Sequence, residues 1–179
     1  MDLARATAAE RRTPLPGDDL VDADVVMDRG FDLPAPPDAV WPWLVQLGKR
    51  RAGWYLPASV ERLVPRRRRA LRHIEPRWLA HEVGDVIPDW GGADATFTLA
   101  GVEPARHLLY TSRRGNTDVT WCLHLTPVGA GATRVHLRLQ LGPVRHRRLA
   151  ETAGGLFDAL TIVGLAAGLR ERVAGRRRS

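Results

Sequence analysis

Residues 38–55 read DAVWPWLVQLGKRRAGWY, and the rest of the chain is organised around them. Pro36 and Pro37 precede this stretch, where proline suits the first turn of a helix, and Asp38 sets a negative charge near the positive end of the helix dipole. Val40, Trp41, Leu44, Val45 and Leu47 recur close to the 3.6-residue period. Pro42 is tolerated because it falls within the first turns. Gly48 is placed to end the helix, followed by Lys49, Arg50 and Arg51, where cations are favoured. Trp54 and Tyr55 then come in a segment with no helical pattern. An apolar helix running into an aromatic loop is what is expected at the mouth of a cavity. The same tryptophans also serve as plain core, since aromatic side chains dominate ordinary cores.

Before this stretch, Val25, Met27, Phe31 and Leu33 alternate with Asp28, Gly30 and Asp32, which predicts a strand. Arg29 falls in its apolar phase, as a strand-edge residue or as an inward charge. Residues 58–64 predict a second short helix between Pro57 and Pro65. A basic run, the densest in the chain, follows from Arg66 to Arg72. Residues 74–92 are rich in turn signals, with Val86 and Ile87 as a short strand between them. Four strands come next, over 96–103, 106–114, 118–127 and 132–141. The last is the clearest: Val135, Leu137, Leu139 and Leu141 face one way, Arg134, His136, Arg138 and Gln140 the other. Turn residues between the runs make this an antiparallel meander. On this reading His124 and His136 lie on a convex, solvated face.

The chain closes on a long predicted helix over about 147–173, with Leu156, Phe157, Leu160, Val163 and Leu169 on its apolar face. Its most apolar part, 153–169, holds Asp158 and falls short of the roughly 20 residues of a membrane span. A sheet with one apolar face needs a cover, and this helix alone is long enough to supply it. The expected class is therefore α+β: a helix-grip fold, a curved antiparallel sheet around a long C-terminal helix, with two short helices after the first strand. The expected organisation is an extended arm over 1–24, one domain over 25–175 and a basic tail over 176–179.

Composition narrows the function classes. One cysteine, Cys122, excludes an internal disulfide and suits a reducing cytosol, and the first twenty residues lack the apolar run of a signal peptide. The formal net charge is +7, and nearly all the basic residues are arginine, Lys49 being the sole lysine. That bias reads as a GC-rich coding sequence and hence a bacterial protein. Nucleic-acid binding is not indicated, because the basic run carries no interleaved aromatics and fits no module. A solvated face, or a weak contact with anionic headgroups or an acidic partner, accounts for it.

The chemistry-bearing residues do not assemble into a catalytic motif. The six histidines show no HxH, HExxH or CxxC spacing, so no metal and no cofactor is implied. Cys122 lies mid-strand, with no helix N-terminus to activate it, and there is no GxSxG elbow. Asp158 is the acid within the apolar helix, with Thr161 on nearly the same face. It either orients a polar ligand group or pairs with Arg29, or it sits at a solvent-facing edge. Tyr55 and Tyr110 could donate hydrogen bonds to a ligand carbonyl or simply pack.

Here the residues carry a resemblance. The chain resembles a bacterial branch of the SRPBCC (START, Bet v 1, polyketide cyclase) superfamily, whose members carry W-P-W-L-V-Q-[LM]-G running into G-[WF]-Y. This chain has Trp41-Pro42-Trp43-Leu44-Val45-Gln46-Leu47-Gly48, then Gly53-Trp54-Tyr55. Ile74-Glu75-Pro76, Val83-Gly84-Asp85, Glu103-Pro104-Ala105-Arg106, Thr120-Trp121 and Thr133-Arg134 match the branch's later segments. Leu56-Pro57-Ala58-Ser59 departs from the polar stretch usual there, which implies a different ligand if that stretch shapes the site. The superfamily holds carriers, receptors and cyclases on one scaffold, so the resemblance bears on fold more than on function. It implies a cavity between sheet and helix, lined from Arg29, Trp41, Leu44, Trp54, Tyr55, Trp90, Phe97, Tyr110, Trp121, Leu123, Phe157, Asp158 and Thr161. The leading expectation is a cytoplasmic carrier or sensor of a small hydrophobic or amphipathic molecule. The alternatives are a cyclase or dehydratase acting on a polyketide-like substrate, and a peripheral protein docking through its arginines.

Overall fold

A computed structural model describes residues 4–92, 94–144 and 155–175, with the backbone alone for 155–159. In chain order the elements are α1 (Ala8–Arg12), β1 (Val25–Leu33), α2 (Pro37–Gln46), α3 (Ala58–Glu61), β2 (Val86–Pro88), β3 (Thr96–Glu103), β4 (His107–Arg114), β5 (Thr117–Val128), β6 (Ala132–Gly142) and α4 (Gly155–Gly175). Two short 3-10 turns, Arg66–Arg68 and Pro76–Trp78, lie between α3 and β2. The six strands form one antiparallel sheet in the order β1-β6-β5-β4-β3-β2. It is a meander, with the first strand returning beside the last. With α4 against its apolar face, the architecture is the expected α+β helix-grip arrangement.

Strand alternation builds the core. Leu137 stands opposite Leu123 on one side and Arg29 on the other, and Val135 opposite Leu125 and Phe31. These positions share one face, which meets Ile162, Leu165, Ala166 and Leu169 of α4 and Val40, Leu44 and Val45 of α2 in a single buried cluster. A register shift between Leu99 and Gly101 keeps Leu108 on the inner face, opposite Val102. The approach of α4 is close. A Cβ on Gly168 would stand 2.6 Å from the Tyr55 carbonyl carbon, and one on Gly164 2.9 Å from Leu56 Cδ2. At Gly168, where the neighbour is backbone, only glycine allows the contact.

The convex face departs from expectation. His136, Arg138, Gln140, Thr120 and Cys122 are buried rather than solvated. The reason is the N-terminal segment, which lies across the sheet and is not simply extended. Thr7 and Glu10 form a capping box that starts α1, and Leu15 packs with Leu109 and Cys122. Arg138 is the anchor, and all five of its N–H groups are used. Its Nε donates to Asp28 Oδ1 (2.9 Å), Nη1 to Asp18 Oδ2 (2.7 Å) and the Thr13 carbonyl (3.1 Å), and Nη2 to the Glu10 and Arg11 carbonyls (3.0 and 3.1 Å). Beside it, His136 Nε2 lies 2.6 Å from Asp28 Oδ1, and Arg134 grips both oxygens of Glu10 at 2.7 and 2.9 Å. The Arg134 hydrogen bond holds the Glu10 carboxyl down at about 2. The segment also bridges the outer edge of β1, where Gly30 N–H donates to the Ala4 carbonyl.

Two expected boundaries shift. Helix α3 stops at Glu61 rather than 64, because the carbonyls of Arg62 and Val64 accept from the Arg69 guanidinium and Pro65 bars continuation. The expected start of the last helix, 147–154, lies outside the described residues. No helix among the described residues is long and apolar enough to cross a membrane.

Candidate functional site

The WPWLVQLG stretch turns out to build a joint. Gln46, fully buried at the end of α2, donates from Nε2 to Tyr55 Oη (3.0 Å) and the His73 carbonyl (3.1 Å), and its Oε1 accepts from Glu75 N–H (2.9 Å). Tyr55 Oη in turn donates to the Trp43 carbonyl (2.9 Å), and its ring meets Trp43 edge-on at 5.8 Å. Below it the guanidinium of Arg172 lies 4.5 Å from the Tyr55 ring centroid, pairs with buried Glu61 at 2.6 Å, and donates to the carbonyls of Leu56, Leu71 and Gly168. Burial pushes the Tyr55 hydroxyl well above its ordinary range. Leu44, Tyr55 and Leu123, expected as cavity lining, are thus fully buried members of the packed core, and Trp41 packs against it half-buried.

The aromatic residues of the sheet come together elsewhere, on the concave face over β3–β5. Tyr110, Phe97 and Trp121 form a triangle with ring centroids 5.8–6.1 Å apart. Trp54 stacks on Trp121 (6.3 Å, interplanar 22°) and meets half-exposed Trp90 edge-on at 5.6 Å. Trp54 and Trp121 are themselves partly exposed. Trp54 Nε1 reaches the Thr161 carbonyl of α4 at 3.4 Å, which ties this cluster to the N-terminal half of the helix. The Arg114 guanidinium covers the Phe97 ring at 5.1 Å and is paired with Asp89.

A polar relay ends on this cluster. Tyr110 Oη lies 3.2 Å from His81 Nε2, and His81 Nδ1 lies 3.0 Å from Asp85 Oδ2. A tight turn sets the spacing: Gly84 takes φ +102°, and the same Asp85 oxygen accepts from Glu82 N–H at 2.9 Å. Gly84 N–H and the Leu99 carbonyl, and Leu99 N–H and the Asp85 carbonyl, then pin the turn to β3 at 2.8 Å each. The His81 side chain is 1% exposed and that of Asp85 47%. Burial and then the nearby Arg51 charge hold the His81 pKa below its ordinary value, so its imidazole is neutral at pH 7. The carboxylate of Asp85, held low first by the Glu82 amide, can only accept. Therefore Nδ1–H donates to Asp85, and Nε2 accepts from the Tyr110 hydroxyl. Burial raises the Tyr110 pKa, so that hydroxyl keeps its proton. Arg51 completes the shell: its Nη2 donates to the Val45 and Trp78 carbonyls (3.1 and 2.7 Å), and its guanidinium lies over the Trp78 ring. The buried Arg51 Nε has no hydrogen-bond partner among the described residues.

The structure therefore brings Trp54, Trp90, Phe97, Tyr110, Trp121 and Thr161 together at one place. Arg29 lies on the same face but on edge strand β1, opposite Leu137, and donates to the Asp28 carbonyl. The side chains of Phe157 and Asp158 lie outside those described. His81, Asp85 and Arg51 were not expected from sequence. The signal present was His81 four residues before Asp85 with Gly84 between, inside a stretch that reads only as turns. A separate cleft of about 420 Å³ opens at the far end of α4, lined by Trp43, Arg72, His73, Ile74, Glu171 and Arg172, and it contains none of the expected site residues. Among the described residues no group of three or more His, Cys, Asp and Glu could hold a metal ion. Cys122 is buried beneath the N-terminal segment, where burial pushes its thiol up to about 12.

No family model matches the chain, and no curated protein matches it. Solved structures do. A protein from Rhodobacter sphaeroides superposes with a TM-score of 0.54 at 19% identity, covering 86% of this chain and 94% of that one. A protein from Thermobifida fusca gives 0.51 at 18%, covering 82% and 92%. DynU16, a protein in the dynemicin biosynthetic locus, gives 0.51 at 16%, covering 83% of this chain and 47% of DynU16. The chain thus spans about half the length of DynU16. At these identities the likeness is one of fold.

Proposed function

We propose that this chain is a ligand-binding helix-grip protein of the SRPBCC type, and that it takes a small hydrophobic, most favourably aromatic, molecule against the Trp54–Trp121–Trp90 surface. The observation that carries this reading is the partial exposure of Trp54 and of the two tryptophans packed against it, Trp90 and Trp121. Aromatic faces in offset or edge-on contact add about 0.5–1.5 kcal/mol each beyond the area they bury, so a planar ligand gains from two rings at once. The paired hydroxyl of Tyr110 at the inner end of the surface supplies a polar contact that orients it. The fold shared with DynU16 is in keeping with a biosynthetic intermediate or product as the ligand class. The test is tryptophan fluorescence and native mass spectrometry with a panel of planar aromatics and fatty acids, on wild type and Trp54→Ala. Saturable quenching lost in the variant supports the reading. A panel that neither binds nor shifts the melting temperature removes it.

The Asp85–His81–Tyr110 relay favours a second reading, an enzyme of the cyclase or dehydratase kind. A hydroxyl hydrogen-bonded to an imidazole that a carboxylate orients has the geometry of general acid–base catalysis. Turnover of an aromatic polyketide-like substrate that His81→Gln abolishes, while ligand binding persists, would select this reading over the carrier.

A further inference from the structure

We propose that the loop over residues 60–69 is a docking surface for an anionic lipid bilayer. It follows α3 and ends in the 3-10 turn Arg66–Arg68. Its tip is apolar, with Leu63 87% exposed and Val60 43% exposed. Around that tip Arg62, Arg66, Arg67 and Arg68 are all exposed, and none has an ion-pair or hydrogen-bond partner for its guanidinium among the described residues. The loop is also tied back on itself. Arg69 Nε donates to the Val64 carbonyl (2.9 Å) and Nη2 to the Arg62 carbonyl (3.0 Å), which closes the turn behind Leu63. At the base Glu61 is buried in its pair with Arg172, and Ala58 N–H donates to Glu171 Oε2 at 2.8 Å. The neighbouring acids are thereby taken: Glu61 by Arg172 and Arg72, Glu171 by Arg72.

An exposed apolar tip flanked by four exposed cations matches one partner chemistry best. A bilayer with acidic headgroups offers phosphates at its surface and hydrocarbon beneath, so both kinds of side chain gain together. A nucleic acid or an acidic protein would satisfy the arginines and leave Leu63 in water. The surface is independent of the aromatic one. Glu171, at the loop's base, lies ten residues beyond Thr161 on α4, about 15 Å along the helix.

The test is flotation of the full chain with vesicles of phosphatidylcholine alone and of phosphatidylcholine containing one-third phosphatidylglycerol. Binding to the anionic vesicles alone, weakening as salt is raised, is expected. Each arginine at such a surface contributes about fivefold to partitioning, so substituting Arg66, Arg67 and Arg68 together with Gln lowers it about a hundredfold. Leu63→Ser lowers it about tenfold. Leu63 touches little of the protein, so this variant keeps the wild-type melting temperature. Unchanged vesicle binding by Leu63→Ser would overturn the proposal, because the contact would then be one of charge alone. So would a failure to bind anionic vesicles, or tighter binding to a duplex oligonucleotide than to vesicles at the same salt.

Discussion

Replacing Arg138 with Met should release the N-terminal segment from the sheet. The guanidinium makes five hydrogen bonds, two to carboxylates and three to carbonyls of residues 10–13, from a side chain 6% exposed. Removing one partner of a buried ion pair costs about 3–5 kcal/mol when the remaining charge stays buried. Here it need not stay buried. The segment can lift, and Asp18 and the three carbonyls then regain water. The loss is therefore limited by the docking energy of the segment and appears as local opening. Taking about 3 kcal/mol, the opening equilibrium rises by roughly 150-fold. Arg5, Arg11 and Arg12 make the segment a trypsin substrate once it leaves the sheet. The assay is timed trypsin digestion under native conditions beside a urea unfolding curve. The variant should lose its first residues about a hundredfold faster than wild type, with a smaller fall in global stability. Cleavage at the wild-type rate would refute the anchoring argument. A large global loss without selective cleavage would refute the local one.

Three further outcomes follow from the same structure. Gln46→Leu removes a hydrogen-bond partner of the part-buried His73 carbonyl and Glu75 amide and of the buried Tyr55 hydroxyl, so its urea midpoint should drop by the equivalent of about 1–3 kcal/mol. Stability should fall monotonically from pH 7 to pH 3. His81, and His124 through burial and neighbouring His136, bind protons less readily folded than unfolded, so stability is lost as pH drops below about 6.5; the depressed carboxylates of Asp28 and Glu10 add a second loss, extending toward about 2 for Glu10. Thermal melts across that range check this, and His81→Gln should diminish chiefly the first step. Cys122 should react with an aromatic disulfide reagent at pH 8 no faster than the N-terminal segment opens, and Arg138→Met should speed that reaction as it speeds proteolysis.

The fold was legible because strand alternation and helical period are local signals that the apolar face obeys, as in β6 and α2. The covering of the convex face was not. A run such as Arg134, His136 and Arg138 looks the same whether water or a matching segment satisfies it, and its partners lie more than a hundred positions away in sequence. The WPWLVQLG stretch was seen, but its role was split. Trp43, Gln46 and Tyr55 went into a buried joint, while Trp54, one position before Tyr55, went to the exposed aromatic surface. Alternation in an irregular loop has no fixed phase, so sequence could not divide them. His81 and Asp85 escaped notice because their meeting depends on a glycine turn and on a tyrosine two strands away.

The contact at Gly168 has a mechanical side. Backbone meets backbone there, so no rearrangement of side chains can bring α4 nearer the Tyr55 loop, and the helix behaves as a lever pinned toward its C-terminal end. From that pin to Gly155 is about 20 Å of helix, and a tilt of about 6° would move the far end by about 2 Å. On the ligand-binding reading proposed above, slender solutes would enter by rotation of Trp54 and Trp121 alone, whereas thicker ones would require the lever to swing and the Trp54–Thr161 bond to part. Entry would then divide into a fast regime and a slow one according to solute thickness.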